Sequence, residues 1–181
     1  MVSSELERLQ RRARRAYEWG RLRAALPGAL HAVGVTVMAA VLQHRLKPSV
    51  LMLGALLVLL CLGLGWWGRQ WNRAVAPGLV AGLFPLLLPF VVSGAGHVCY
   101  TGGCRAFCLM SCVGGGLAAG AVLAFAALRL PEGHERFLLA SGTVATLCGA
   151  LGCVLYGLSG VLGLVAGLAL VSMPVLVLRR A

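Results

Sequence analysis

Acidic residues are scarce in this sequence, and aspartate is absent. The 181 residues include five acids, which are Glu5, Glu7, Glu18, Glu132 and Glu135. None of them lies within an apolar run, and no lysine does either. Carboxylates and lysines inside membrane segments serve as proton relays and ion-coupling groups, so the sequence lacks the usual side chains for that chemistry. The missing aspartate also excludes a Ser-His-Asp triad, and no nucleotide-binding or metalloprotease motif is present. We therefore expect no enzymatic activity.

Charge of either sign is low relative to the apolar content. The composition is 60% hydrophobic and 12% charged, whereas a soluble domain is nearer half apolar and a quarter charged. This balance predicts a membrane protein. The net charge of +11 is more typical of loops and a tail facing anionic lipid than of a nucleic-acid surface. Direct nucleic-acid binding is therefore not expected.

Long apolar runs account for most of the chain and predict an all-α, polytopic membrane protein. About 20 apolar residues cross a hydrocarbon core. We divide the chain into a basic amphipathic cytoplasmic helix at residues 1–26 and a bundle of six transmembrane helices at residues 27–181. Gly157-Leu-Ser-Gly160 is the predicted tight turn between the last two spans. The predicted spans are 27–43, 49–67, 74–96, 106–128, 137–156 and 161–178.

The first 26 residues have the pattern of one basic helix. Ser4 and Glu7 have the spacing of a capping box, and apolar residues from Leu6 to Ala24 recur every three or four positions. The helix is interpreted either as lying on anionic lipid or as docking a cytoplasmic protein. The candidate lipid- or partner-binding residues are Arg8, Arg11, Arg12, Arg14, Arg15, Arg21 and Arg23.

The distribution of basic residues predicts the orientation. With both termini in the cytoplasm, thirteen of the sixteen Arg and Lys residues fall on the inner side and three, Arg45, Lys47 and Arg105, on the outer side. This imbalance is what the positive-inside rule requires. The preference for Arg over Lys, with abundant Ala, Gly and Leu, indicates a GC-rich bacterial genome. We therefore predict a multi-pass protein of the bacterial inner membrane.

Seven cysteines are present, and four of them lie between His97 and Cys112. On the predicted topology this stretch is outside the cytoplasm, where thiols tend to be oxidised. Three interpretations remain open: disulfides, packing cysteines, or a thiophilic metal bound by His97 with Cys99 and Cys104. No other cofactor is predicted. The candidate metal or redox residues are His97, Cys99, Cys104, Cys108, Cys112, Cys148 and Cys153.

Spacing and depth limit which cysteines can meet. Cys104 and Cys112 are eight residues apart, or about 12 Å along a helix, so they cannot share one zinc ion, whose Zn–S distance is about 2.3 Å. Cys99 and Cys104 flank a Thr-Gly-Gly segment and can close a small loop. Cys108 and Cys112 on the fourth span lie at depths in the membrane similar to those of Cys148 and Cys153 on the fifth. Cys108 or Cys112 is therefore expected to face Cys148 or Cys153.

The layout resembles the six-span bacterial membrane anti-sigma factors of the NrsF-like kind. The resemblance rests on topology: the Arg-rich segment 5–26, the six apolar runs, and Cys99, Cys104 and Cys153 near the outer ends of helices. Where that family carries a His-Cys-Pro pattern before its last span, this chain has Tyr156-Gly-Leu-Ser-Gly160. The resemblance implies a regulatory protein with a cytoplasmic partner such as a sigma factor, and cysteines that sense redox state or metal.

Two other functions are compatible with the sequence. The third span contains Pro77, Pro85 and Pro89, and kinked spans can line a translocation path. This pattern allows a small transporter of a thiophilic metal or a neutral solute. Mercury transporters are a second, distant likeness, but their paired Cys-Cys in the first span is missing here. The last alternative is a structural membrane subunit with no activity of its own.

Overall fold

The chain is all-α in a computed structural model that describes residues 2–43, 47–94, 104–130, 133–153 and 158–178. Each of the six helices is long and apolar enough to span a membrane, which confirms the predicted fold class. No strand occurs within these five ranges. The helices are α1 (Val2–Leu42), α2 (Pro48–Trp67), α3 (Arg69–Gly94), α4 (Cys104–Leu128), α5 (His134–Cys153) and α6 (Leu158–Leu178).

The first helix joins the two elements that the sequence predicted as separate. At 1.5 Å per residue, the 41 residues of α1 extend for about 60 Å, twice the thickness of a hydrocarbon core. Pro27 lies inside α1 and removes one backbone donor, which deprives the Arg23 carbonyl of its helical partner. The Asn72 side chain of α3 donates to the neighbouring carbonyl of Ala24 at 3.3 Å. This hydrogen bond ties α3 to α1 in the turn that precedes the proline, and α1 continues through Pro27.

The turn predicted at residues 157–160 is wrong in its position. Leu158, Ser159 and Gly160 already belong to the first turn of α6, and Gly157 lies outside the described residues. Gly160 has a different role from the one its type predicted. A β-carbon there would stand 3.1 Å from the carbonyl oxygen of Cys153, so this glycine permits close approach of two helices rather than a turn. By contrast, α2 and α3 are joined through the single residue Gly68, whose φ of 133° favours glycine.

Helix α5 is at the centre of the bundle. In its most apolar stretch 72% of the residues are buried within the chain, compared with 22% in that of α6. Helix α5 packs chiefly on α3, and it also touches α1, α2, α4 and α6. The two other extensive contacts are between α4 and α6 and between α1 and α2. A chain with these spans therefore exposes α6 to its surroundings and encloses α5.

Glycines make the close contact between α4 and α6. Gly116 and Gly120 of α4 form one GxxxG pair, and Gly163 and Gly167 of α6 form another. The two pairs face each other: Gly116 lies against the carbonyl oxygen of Leu164, and Gly167 lies against that of Val113. A β-carbon at either glycine would overlap those oxygens. Small residues of this kind let backbones approach, and the resulting van der Waals contact holds membrane helices together where no hydrophobic effect operates between them.

Candidate functional site

The structure brings two thiols together near one end of the bundle. The Sγ atoms of Cys112 on α4 and Cys153 on α5 are 2.9 Å apart, and both residues are fully buried. Among the pairings that the sequence left open, the structure therefore has Cys112 facing Cys153. Cys112 lies in the third turn of α4, and Cys153 is the last residue of α5. The pair is therefore close to the end of the bundle at which α4 begins and α5 ends.

The surroundings of this pair are tight and largely apolar. The two cysteines form a small buried cluster with Leu164, and Val161 packs against it. A β-carbon at Gly160 would lie 3.3 Å from the Cys112 sulfur, so α6 reaches the pair only because this residue has no side chain. Four helices enclose the sulfurs, since the Pro85 carbonyl of α3 also lies 3.9 Å from the Cys153 sulfur.

Gln43 connects the end of α1 to the same region. Its Nε2 donates a hydrogen bond of 2.8 Å to the carbonyl oxygen of Leu151 in the last turn of α5. The last four carbonyls of a helix have no partner within the helix, so the Gln43 side chain caps α5 from outside. Leu151 precedes Cys153 by two residues. We call Gln43, Cys112, Leu151, Cys153 and Gly160 together the cysteine end.

Cys148 and Cys61 occupy packing positions apart from the cysteine end. The Cys148 thiol lies 4.0 Å from the Leu79 carbonyl and would be 2.9 Å from a β-carbon at Gly82, so it fills space against α3. Cys61 is buried on α2, as expected of a core residue. Both are free thiols.

The remaining candidates for a metal site cannot be placed. His97 and Cys99 lie outside the described residues, and Cys104 and Cys108 lie in the first two turns of α4 without described side chains. Over the residues whose positions are described, no group of three His, Cys, Asp or Glu side chains is close enough together to hold a metal ion.

The second candidate site is the exposed first half of α1. From Glu7 to Gly20 every residue is exposed, whereas Ala25, Ala29, Ala32 and Ala39 are buried against the bundle. We call residues 2–23 the basic arm. Its seven Arg and three Glu give a charge of 7 − 3 = +4. Between Glu7 and Gly20 the arm is therefore exposed, in contrast to the half of the helix that follows Ala24.

The arm's own side chains support its helix. Arg11 pairs with Glu7 at 3.3 Å and Arg14 with Glu18 at 3.2 Å, each four residues apart. The Arg21 guanidinium lies 5.0 Å from the centre of the Tyr17 ring. Such exposed pairs contribute only about 0.2–0.5 kcal/mol each. They favour a helical arm without fixing its charges in place.

Trp residues mark where the arm leaves the membrane-spanning part. All four tryptophans lie at one end of the bundle: Trp19 on α1, Trp66 and Trp67 at the end of α2, and Trp71 at the start of α3. Tryptophan is enriched at the boundary between lipid and water. From Ala24 to Leu42 is 19 residues, or about 29 Å, which matches one hydrocarbon core. The cysteine end lies at the opposite side of the bundle.

The prolines of α3 are in closely packed positions. Pro85 and Pro89 are fully buried. Pro85 fits against two glycines, since a β-carbon at Gly115 or Gly149 would come within 2.7 Å of it. These contacts fill the space between α3, α4 and α5 at Pro85, where a translocation path would need an opening.

Sequence reasoning missed Gln43 and Gly160 as parts of a site. Gln43 is the last residue of the first predicted span, and a single amide at the end of an apolar run is a signal for a buried cap. Gly160 was predicted to lie in a turn. The arginines of the arm are candidates from the sequence, and in the structure all of them are exposed except Arg21, which is half-buried.

No protein-family model, no curated protein and no solved structure matches this chain. The arguments for its function therefore rest on the two sites described above.

Proposed function

We propose that this chain is a regulatory protein of the bacterial inner membrane whose basic arm holds an acidic cytoplasmic protein at the membrane. The observation that carries the proposal is the single helix α1, which is packed into the bundle over one half and exposed at every residue from Glu7 to Gly20 in the other. An arm in line with a membrane span points away from the lipid surface. This geometry favours a protein partner over a helix lying flat on lipid.

The orientation supports the same proposal. With the arm in the cytoplasm, the tryptophan-rich end faces inward and the cysteine end faces outward, in agreement with the distribution of Arg and Lys. A cytoplasmic partner of the arm would carry acidic surface, and a sigma factor is one such candidate by the resemblance in layout. The outward cysteines would report redox state or metal to that partner.

Copurification of cytoplasmic proteins with the full chain from solubilised membranes tests the proposal. We expect replacement of Arg8, Arg11, Arg12 and Arg15 by Gln to abolish capture of the acidic partner, because complementary charge sets this kind of recognition. The matched control replaces the same four residues by Lys, which keeps the charge and should retain capture. Both variants should reach the membrane in equal amounts. Undiminished capture by the Gln variant would show that the proposal is wrong.

Reporter fusions test the orientation separately. A periplasm-active reporter fused after Lys47 should be active, and one fused after Arg73 should be inactive. The reverse pattern would place the arm outside the cytoplasm and refute the proposed partner class.

A further inference from the structure

We propose that Cys112 and Cys153 are the redox-active pair of this protein, cycling between the two thiols of this structure and a disulfide, and that Gln43 transmits the change to the helix bearing the basic arm. This inference names the element that would sense redox state in the proposed function. It rests on the proposed function only in supposing that a cytoplasmic partner responds to the change. The chemistry of the pair stands on the geometry of the cysteine end.

The distance between the sulfurs favours a disulfide over a metal. Closing the pair from 2.9 Å to a covalent bond of about 2.05 Å requires a movement of about 0.9 Å. Two thiolates on one zinc ion, at about 2.3 Å each, stand about 3.8 Å apart in tetrahedral geometry, so a metal would force the sulfurs apart. The buried Leu164 and the close approach of Gly160 oppose that expansion.

The burial of the pair selects the kind of oxidant. Neither cysteine is exposed, so a protein disulfide cannot reach them, whereas hydrogen peroxide is small, uncharged and close to water in size. One thiol attacks the peroxide, breaking the O–O bond and giving a sulfenic acid and one water. The second thiol then attacks that sulfur and releases a second water. In total, two thiols and one hydrogen peroxide give one disulfide and two waters, and the two electrons pass from sulfur to oxygen.

The movement reaches the helix end that Gln43 caps. Cys112 lies in the interior of α4, beside Gly115 and Gly116, which are in close contact with α3 and α6. Cys153 is the last residue of α5, so closing the disulfide would draw the last turn of α5 towards α4. A shift of about 0.9 Å along the axis of the 2.8 Å bond from Gln43 to Leu151 would lengthen it beyond about 3.5 Å, where a hydrogen bond is lost. The end of α1 would then be released from α5.

The experiment counts thiols in the full chain, reconstituted in vesicles of phosphatidylcholine and phosphatidylglycerol. Cys99, Cys104 and Cys108 are replaced by Ser, which leaves 7 − 3 = 4 cysteines. Maleimide mass tags added after denaturation should fall from four to two on treatment with hydrogen peroxide and return to four after reduction by a phosphine. In the Cys153→Ser variant the count should stay at three, and in the matched control Cys148→Ser it should fall from three to one. A constant count in the parent, or a peptide map joining Cys153 to Cys148, would overturn the assignment.

Tryptophan fluorescence tests the transmission to α1, because all four tryptophans lie at the other end of the bundle. Oxidation should shift the emission reversibly in the parent, and the phosphine should restore it. The Gln43→Leu variant should form the same disulfide without that shift. An unchanged emission in the oxidised parent would overturn the transmission step.

The two proposals fail separately. Capture of the acidic partner is measured under reducing conditions, where the disulfide is absent. If the thiol count does not change on oxidation, capture by the basic arm can still be observed. If capture fails, the disulfide can still be measured.

Discussion

The two halves of α1 are built from the same helix but are held by different forces. From Ala25 onward, alanines and a glycine lie against α2 and α3, with Ala25 touching Gly65 and Gly28 touching Val75. From Glu7 to Gly20 the arm is exposed, and its side chains pair within the arm, such as Arg14 with Glu18. One half is therefore specified by its neighbours, and the other by local helix preference. Stability should depend on the packed half, and recognition on the exposed half.

The largest effect on stability is expected from Gly116→Ala, at a close backbone contact between α4 and α6. The new methyl group overlaps the Leu164 carbonyl oxygen, so α4 and α6 must separate. We expect the free energy of unfolding to fall by about 2–3 kcal/mol, the upper part of the range for overpacking. The measurement is unfolding in mixed micelles with increasing dodecyl sulfate.

The matched control is Gly114→Ala, two residues away on the same helix. A β-carbon there meets nothing within 4 Å. Its replacement should be neutral or stabilising by up to about 1 kcal/mol, because alanine is the better helix former. Equal losses in the two variants would show that α4 and α6 are not in close contact.

A smaller loss is expected from Gln43→Leu at the cysteine end. This change removes the donor to the Leu151 carbonyl and leaves that oxygen without its cap. A hydrogen bond of this kind contributes about 1 kcal/mol. The same unfolding experiment measures it, with Val41→Ala on the lipid-facing side of α1 as the control. If Gln43→Leu and the control unfold alike, the capping of α5 by α1 is refuted.

Within the arm, Glu18→Gln should cost no more than about 0.5 kcal/mol of helix stability. The Arg14–Glu18 pair is exposed, and such pairs are weakened by salt. The helicity of the chain, measured by circular dichroism at low ionic strength, should fall slightly. At about 1 M salt the difference between the variant and the parent should vanish, and a difference that persists would indicate a contact other than the ion pair.

The smallest effect on stability is expected from the largest change in sequence, a deletion within the basic arm. Deletion of residues 2–18 removes part of the arm but none of the buried residues of α1. The unfolding midpoint should therefore stay the same, while capture of the acidic partner is lost. A lower midpoint would mean that the arm packs on the bundle, and the contrast between the two halves of α1 would be wrong.

The fold was predictable from the sequence because apolar runs and their length determine membrane spans without knowledge of contacts. The boundaries of the individual helices were less predictable. Pro27 appeared to separate two helices, but α1 continues through it and is packed against α2 and α3 from Ala25 onward, contacts that the sequence does not reveal. Glycine is typical of turns, so the sequence favoured a turn at Gly160. In the structure this glycine lets α6 approach the Cys153 carbonyl of α5, a contact that the sequence does not reveal.

The pairing of cysteines at the cysteine end was predictable in part, because the apolar runs indicate how deep each cysteine lies in the membrane. Depth along the spans brought Cys112 within reach of Cys153, but it could not separate this pairing from one with Cys148. Rotation of α5 decides that, because it turns Cys148 towards Leu79 of α3 and Cys153 towards α4. The rotation of a helix about its axis depends on where all of its neighbours place their small residues. A single sequence does not give that information.

The continuity of α1 makes it a lever with its pivot near Pro27. From Val2 to Pro27 the helix is about 38 Å long, and from Pro27 to Leu42 it is about 23 Å long, so a displacement at the Leu42 end is enlarged about 1.7-fold at the tip. A displacement of about 0.9 Å at that end would in this way become about 1.5 Å at the tip of the arm. Stiffness along the rod, rather than a large rearrangement of the bundle, is what such amplification requires.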